Sequence, residues 1–281
     1  MAKNGSVPAG LLDSLIAELN DENTVALALA GSYARGDASE YSDLDIIKFV
    51  KELPHQESDR YLLEFRDGIL VSISLTTIEI KREGLRRPEE IVWSIPPLKE
   101  GRILLDKDGS LAQLQQEAAN LQWESLQPQA DHYASFTMAG NAEEIFKILG
   151  ALEVGDDAPV LYGIWGLTDG MGRAIAVQRG VIIGTGNSYL QQVQEIAGTD
   201  TLWTRYYRLA VGFEVGCPEI PPYRIRGIAA LHLYIETEKL LRHIMEPGHT
   251  EVVAKTIAAI EASGFDLPEE MVAGQVSWLM K

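Results

Sequence analysis

Residues 27–50 read LALAGSYARGDASEYSDLDIIKFV. An apolar run ends at Gly31-Ser32, a short polar stretch follows, and Asp43-Leu44-Asp45 opens a second apolar run. The runs are the right length for two strands, and the glycine marks a sharp turn after the first. Gly31 lets the chain turn tightly and lets backbone N–H groups approach a phosphate. Ser32 offers a hydroxyl to the same phosphate. Residues two apart on a strand share a face, so Asp43 and Asp45 converge while Leu44 and Ile46 turn to the core. At about 4 Å two carboxylates repel by on the order of 4 kcal/mol at an effective dielectric near 20. A divalent cation removes that cost, and paired carboxylates plus substrate phosphates are a common way to hold Mg²⁺. Gly-Ser alone is a turn and Asp-x-Asp alone a solvated strand end; it is their joining at this spacing that points to chemistry.

Working outward, Leu11, Leu12, Leu15, Ile16 and Leu19 fall at helical spacing, and Val25–Ala30 reads as a buried strand. Residues 43–50 and 69–75 read as further strands, with Asp67-Gly68 a turn just before the last. Pro88 opens a helix that Pro96-Pro97 should end. Residues 102–105 read as an edge strand and 111–121 as a helix. The polar stretch 122–130 marks a boundary, dividing the chain into a mixed-sheet domain at 1–125 and a helical domain at 126–281. Helices are expected over 132–152, 157–180, 188–197, 201–214, 222–245 and 249–263, with a short one after Pro268. Ser188 and Gln191 suggest a capping box. The fold class is α+β: a small mixed sheet, then a helical bundle.

Composition narrows the function. With 24 Lys and Arg against 41 Asp and Glu, the net charge is −17, which disfavours nucleic acid as a partner. The only basic stretch, KREGLRRP at 81–88, reads as a solvated helix end. One cysteine, Cys217, excludes an internal disulfide and fits a reducing, cytoplasmic location. No apolar run is long enough for a membrane span, and MAKNGSVPAG has no secretory core.

Gly31-Ser32 with Asp43-x-Asp45 resembles the signature of the polymerase β-type nucleotidyltransferase superfamily, and in particular its antibiotic branch, the kanamycin and aminoglycoside nucleotidyltransferases. The GSYAR turn, LVSISL, WSIPPLKEGRILLDKDG, EEIFK and IIGTGNSYL follow in family-like order, over residues 25–215. The resemblance implies transfer of a nucleoside monophosphate from a nucleoside triphosphate to a hydroxyl of a small, cationic acceptor such as an aminoglycoside. It implies Mg²⁺ on Asp43 and Asp45, and a homodimer with the site near the subunit interface. It places Arg35 near the triphosphate, although Arg35 paired with Asp37 on the surface is an equal reading. Thr185, before a helix start with Gly186 and Asn187, is a candidate contact to the nucleotide; an ordinary interhelical loop is as good a reading.

The sequence departs from the pattern at two points. The expected third carboxylate aligns with Ser72, with Ser74 next on that face and Glu79 beyond the strand. The expected general base on the first helix of the second domain aligns with Lys147, one turn from Glu143 and Glu144; Glu144 is the candidate, and an ion pair among these residues the plainer reading. A relative that binds nucleotide without turnover is therefore the second functional expectation, and nucleotidylation of a protein the third. Trp203, Tyr206, Tyr207 and Phe213 are expected in the core; Tyr162 and Trp165 either line a pocket or, as the better reading, sit in the core. His232 and Glu236 share a helix face but lack a third ligand. Glu153, Asp156, Asp157 and Asp169 form an acidic face that is either solvated or able to hold an amine.

Overall fold

A computed structural model describes residues 7–214 and 219–273; Cys217 and the first six residues lie outside them. The chain forms two compact units. One runs to Glu124 and takes in Ile182–Thr185; the other holds Ser125–Val181 and the residues from Gly186 on.

The first unit begins with α1 (Leu11–Leu19), then β1 (Thr24–Ala30), the single helical turn α2 (Gly31–Arg35) and β2 (Leu44–Val50). A hairpin of β3 (Tyr61–Arg66) and β4 (Ile69–Thr76) follows, then α3 (Ile78–Gly84), α4 (Pro88–Glu100), β5 (Arg102–Asp106) and α5 (Ser110–Ala119). The five strands form one mixed sheet in the order β3-β4-β2-β1-β5. The central pair, β2 and β4, is parallel, with Leu44 opposite Val71 and Asp45 opposite Ser72. One sheet face is apolar: Leu27, Leu29, Leu44, Ile46, Val71 and Ile73 close over Leu11 and Leu15 of α1. That alternation turns Asp45 and Ser72 to the opposite face.

Asp21 sets the entry to β1. Its Oδ1 accepts from the N–H groups of Asn23 and Thr24, each at 2.9 Å, and Oδ2 meets Lys48 Nζ at 2.7 Å. Lys48 is largely buried on β2, so this pair ties the α1–β1 turn to the sheet.

Three expectations change here. β3 is absent from the sequence reading; its apolar residues fall on both faces, so the run YLLEFR lacks an alternating pattern. α4 does not end at Pro96-Pro97 but runs on to Glu100. Pro96 cannot donate to the carbonyl of Val92, and the N–H of Ile183 does so instead, at 2.8 Å. The ring clash that usually accompanies an internal proline is met without breaking the helix. The basic stretch at 81–88 is not simply solvated, because burial pushes the Lys81 ammonium below its usual pKa. Arg82 pairs with Glu117 at 2.9 Å, and Arg87 with Glu90.

The second unit is helical: α6 (Gln127–Gly140), α7 (Ala142–Val154), α8 (Asp157–Gln178), α9 (Tyr189–Ala197), α10 (Leu202–Val211), α11 (Pro222–Leu241), α12 (Pro247–Ser263) and α13 (Glu269–Val272). The expected helix over 132–152 is two helices. Asn141 interrupts it, its side-chain amide donating to Thr137 O at 2.8 Å. Gly170 of α8 packs so close to this Asn141 side chain that a Cβ there would collide. Gly163 and Gly166 likewise bring α8 against Ile148 and Glu144 of α7. This face buries Gly163, Ile164, Leu167 and Met171 and leaves Tyr162 and Trp165 exposed, contrary to their expected place in the core. Trp203, Tyr206 and Tyr207 are buried as expected; Phe213 is exposed, under the Arg208 guanidinium at 5.2 Å. The Ser188–Gln191 capping box does not form. Ser188 has helical backbone angles, and its hydroxyl reaches Gln192 Oε1 at 2.8 Å.

Candidate active site

The site is built where β1 ends and β2 begins. Ala30 stands opposite Asp45 on these antiparallel strands, and the chain leaves β1 through Gly31 at φ 65°. A Cβ on Gly31 would collide with Asp45 Oδ2. The glycine is thus required twice, for its left-handed backbone and for the carboxylate lying against it. Ser32 follows in the same turn, and the N–H of Gly36 closes the turn on Ser32 O at 2.9 Å.

On the far side of Asp45 stands Ser72, whose Oγ donates to Asp45 Oδ1 at 2.6 Å. Burial pushes the Asp45 carboxyl above its ordinary pKa. The Ser72 hydrogen bond opposes that rise, the nearby Asp43 charge adds to it, and Arg35 opposes it. Asp45 is therefore a carboxylate whose charge the protein leaves under-compensated. A cation would supply what is missing.

Asp43 lies in the turn immediately before β2 and acts on Asp45 through space. Arg35 makes the expected pair with Asp37, its guanidinium meeting that carboxylate at 3.2 Å, and its charge also bears on Asp45. Glu100 lies 3.9 Å from the other side of that guanidinium. Sequence reasoning missed Glu100 because it ended α4 at Ile95, five residues early; the run of apolar positions through Leu98 was the available signal.

Carboxylate and hydroxyl oxygens, the donors that Asp43, Asp45 and Ser72 carry, are hard ligands of the kind Mg²⁺ takes rather than softer metals. Among the described residues no group of three or more His, Cys, Asp and Glu converges to hold a metal. The protein thus offers two carboxylates. That fits an ion that keeps several water or phosphate ligands, as Mg²⁺ does. Glu79 is exposed on α3 and makes no third ligand in this arrangement.

The remaining candidates fall elsewhere. Thr185 belongs, with Ile182, Ile183 and Gly184, to the unit that carries Gly31, Ser32 and Arg35. Glu144 lies on α7 in the helical unit. Its Oε1 accepts from Lys147 Nζ at 2.9 Å, and Glu143 meets the same Nζ at 3.0 Å. The two carboxylates raise the Lys147 pKa well above its usual value. Glu144 Oε2 is buried without a hydrogen-bond partner. His232 is no metal ligand here: its Nε2 faces Phe265 O at 3.1 Å, and its ring stacks on Tyr206. In the acidic face, Asp156 caps α8 and Asp169 pairs with Arg173.

Residues 12–94 match the family described as the nucleotidyltransferase domain. This stretch holds Gly31, Ser32, Asp43, Asp45 and Ser72 and carries a nucleotidyltransferase domain of the polymerase β-type superfamily. A protein of Methanocaldococcus jannaschii, provisionally named a protein adenylyltransferase, is 32% identical over 93 residues. Those residues are 31% of this chain and 62% of the relative, so the likeness spans less than two thirds of that protein. The crystal structure of a nucleotidyltransferase-like protein from Exiguobacterium sibiricum aligns at a TM-score of 0.47 and 13% identity, over 88% of this chain and 77% of the other. No helix among the described residues is long and apolar enough to cross a membrane.

Proposed function

We propose that the protein transfers a nucleoside monophosphate from a nucleoside triphosphate to an acceptor hydroxyl, releasing pyrophosphate. The observation that carries this reading is the Asp45 carboxylate lying on Gly31, next to Asp43, at the end of β1. The acceptor oxygen bonds to the α-phosphorus as the bond to the β-phosphate's bridging oxygen breaks. The hydroxyl proton passes to a base. Gly31, Ser32 and Arg35 bind the triphosphate, through main-chain N–H groups, a hydroxyl and a guanidinium. Asp43 and Asp45 hold Mg²⁺, which when bound neutralises charge on the phosphates. Thr185 is assigned to the nucleotide and Glu144 to the proton.

The leading acceptor is a small hydroxyl compound, with an aminoglycoside as the candidate the family resemblance suggests. The provisional name of the M. jannaschii relative supports a protein hydroxyl as the second reading. Pyrophosphate release, measured with Mg²⁺ and with aminoglycosides or a cell lysate as acceptor, tests the proposal. Labelled nucleotide appearing on protein alone would decide for the second reading. Absence of release with every acceptor, alongside intact triphosphate binding, would reduce the domain to a binding module.

A further inference from the structure

The strand β3 forms one edge of the sheet and has few of the features that keep sheet edges from pairing, its charged Glu64 and Arg66 lying together on one face. Its six residues, YLLEFR, include no proline and no lysine. Tyr61, Leu63 and Phe65 are 55%, 49% and 74% exposed. They stand opposite Ser74, Ser72 and Leu70, so they share the face that carries Ser72. Unpaired main chain beside an apolar strip is a template for another strand.

The hairpin decides which main-chain groups are free. Asp67 and Gly68, at φ 51° and 81°, form a two-residue loop between Arg66 and Ile69. Such a loop closes on a hydrogen-bonded pair. By alternation Arg66, Glu64 and Leu62 bond to β4, and the N–H and C=O groups of Tyr61, Leu63 and Phe65 point away from the sheet.

We propose that β3 pairs antiparallel with β3 of a second copy of this chain, across a two-fold axis at Leu63, joining two five-stranded sheets into one. Leu63 then stands opposite the partner's Leu63, and Tyr61 opposite the partner's Phe65. All the outward groups of Tyr61, Leu63 and Phe65 are used. Leu62 meets the partner's Glu64, so from Tyr61 to Phe65 no like charges face each other; Arg66 falls across from the partner's Arg60, just outside the strand. An axis one residue later sets Glu64 against the partner's Glu64 at the closer pair spacing of about 4.5 Å, and it leaves Tyr61 opposite a loop residue. This self-complementary register favours a second copy over an unrelated strand. The two-fold closes the assembly at two chains, since each β3 edge is consumed. The row Ala30, Asp45, Ser72, Leu63 continues into the partner's Leu63, and both candidate sites open on the same face of the joined sheet. The interface stands whether or not the chain transfers nucleotides.

Light scattering of the full chain at micromolar concentration should give twice 31.0 kDa. In a Cys217→Ser background, Leu63→Cys should cross-link to itself on oxidation, because Cα atoms of a hydrogen-bonded pair lie about 5.5 Å apart, within disulfide range. Glu64→Cys should not cross-link to itself, whereas a mixture of Leu62→Cys and Glu64→Cys chains should. Leu63→Pro deletes an outward N–H and spares the β4 ladder, and Phe65→Lys adds a charge to the edge. Both should be folded monomers by circular dichroism and light scattering. A monomeric parent, whether free or bound to another protein through β3, overturns the proposal. So does a dimer that survives both substitutions while Leu63→Cys stays uncross-linked.

Discussion

Ser72 donates a 2.6 Å hydrogen bond to Asp45 Oδ1 from the adjacent parallel strand. A hydroxyl in that place stabilises the charged form of Asp45 but adds no charge of its own. The candidate site therefore has two carboxylates, one of them raised in pKa by burial. Metal binding must displace any proton on Asp45, so Mg²⁺ affinity should strengthen as the pH rises through its folded pKa.

Substitution of Gly31 tests the geometry without removing a carboxylate. A methyl group at this position meets Asp45 Oδ2, and the φ of 65° is strained for any side chain. Gly31→Ala should therefore turn the carboxylate away and weaken Mg²⁺-dependent triphosphate binding at least about tenfold, equivalent to roughly 1.4 kcal/mol. Isothermal calorimetry reads this directly. Undiminished affinity would mean that Asp45 does not act from its observed position.

Asp43→Asn and Asp45→Asn remove one charge each while keeping the shape. Both should abolish Mg²⁺-dependent binding of triphosphate. Asp45→Asn should also raise the metal-free melting temperature, since it relieves the cost of a buried carboxylate. Asp43→Asn leaves the Asp45 carboxylate in place, so its metal-free melting temperature should rise less. Unaltered calorimetric binding in both variants would remove these aspartates from the metal site.

What was legible in the sequence follows burial. The strands β1, β2 and β4 and the helix α1 share one core, and their apolar spacing is the direct imprint of it. The placing of Ser72 at the site came from the family resemblance, which aligns it with the expected third carboxylate; the register that sets it opposite Asp45 is a fact of the sheet. β3 was not legible, because an edge strand with apolar residues on both faces carries no such imprint; only its Asp67-Gly68 turn hinted at a hairpin. Prolines 96 and 97 misled because the hydrogen bond that compensates Pro96 comes from Ile183, distant in sequence. The break at Asn141 was hidden since helical periodicity runs through it. The exposure of Trp165 depends on which face of α8 its glycines bring to α7, a fact of packing rather than of hydropathy.

Acid should weaken the protein at Asp21. The hydrogen bond from Lys48, opposed in part by burial and helped by Thr24, holds the Asp21 carboxyl at about 2, below the ordinary 3.8. A folded pKa below the unfolded one contributes stability above 3.8, and that contribution is lost as the pH falls towards 2. The Asp21 side chain is half exposed, so solvent screening limits the contribution to about 1 kcal/mol or less. The difference in urea midpoint between the parent and Asp21→Asn should be present at pH 5 and shrink towards pH 2. A difference independent of pH would show that the variant acts through the Thr24 turn rather than through charge.

Ser72→Asp is the sharpest test of what the site lacks. The serine is buried, with its Oγ already in hydrogen-bond contact with Asp45. A carboxylate there faces Asp45 at a separation where two charges repel by about 4 kcal/mol or more at a dielectric near 20. Without metal the pair must share a proton or separate, so the variant should melt several degrees below the parent in EDTA. With Mg²⁺ the same pair becomes part of a three-carboxylate ligand set, and binding to the native state alone raises the melting temperature. Mg²⁺ should thus stabilise Ser72→Asp much more than it stabilises the parent. If the missing charge also limits the reaction, pyrophosphate release should rise, and each 1.36 kcal/mol of added transition-state stabilisation is about tenfold in rate. Melting with EDTA and with Mg²⁺ reads the metal site, and release reads the chemistry. Equal Mg²⁺ stabilisation of parent and variant would show that position 72 does not face the metal. Greater stabilisation with slower release would show that the native site is already complete for its reaction.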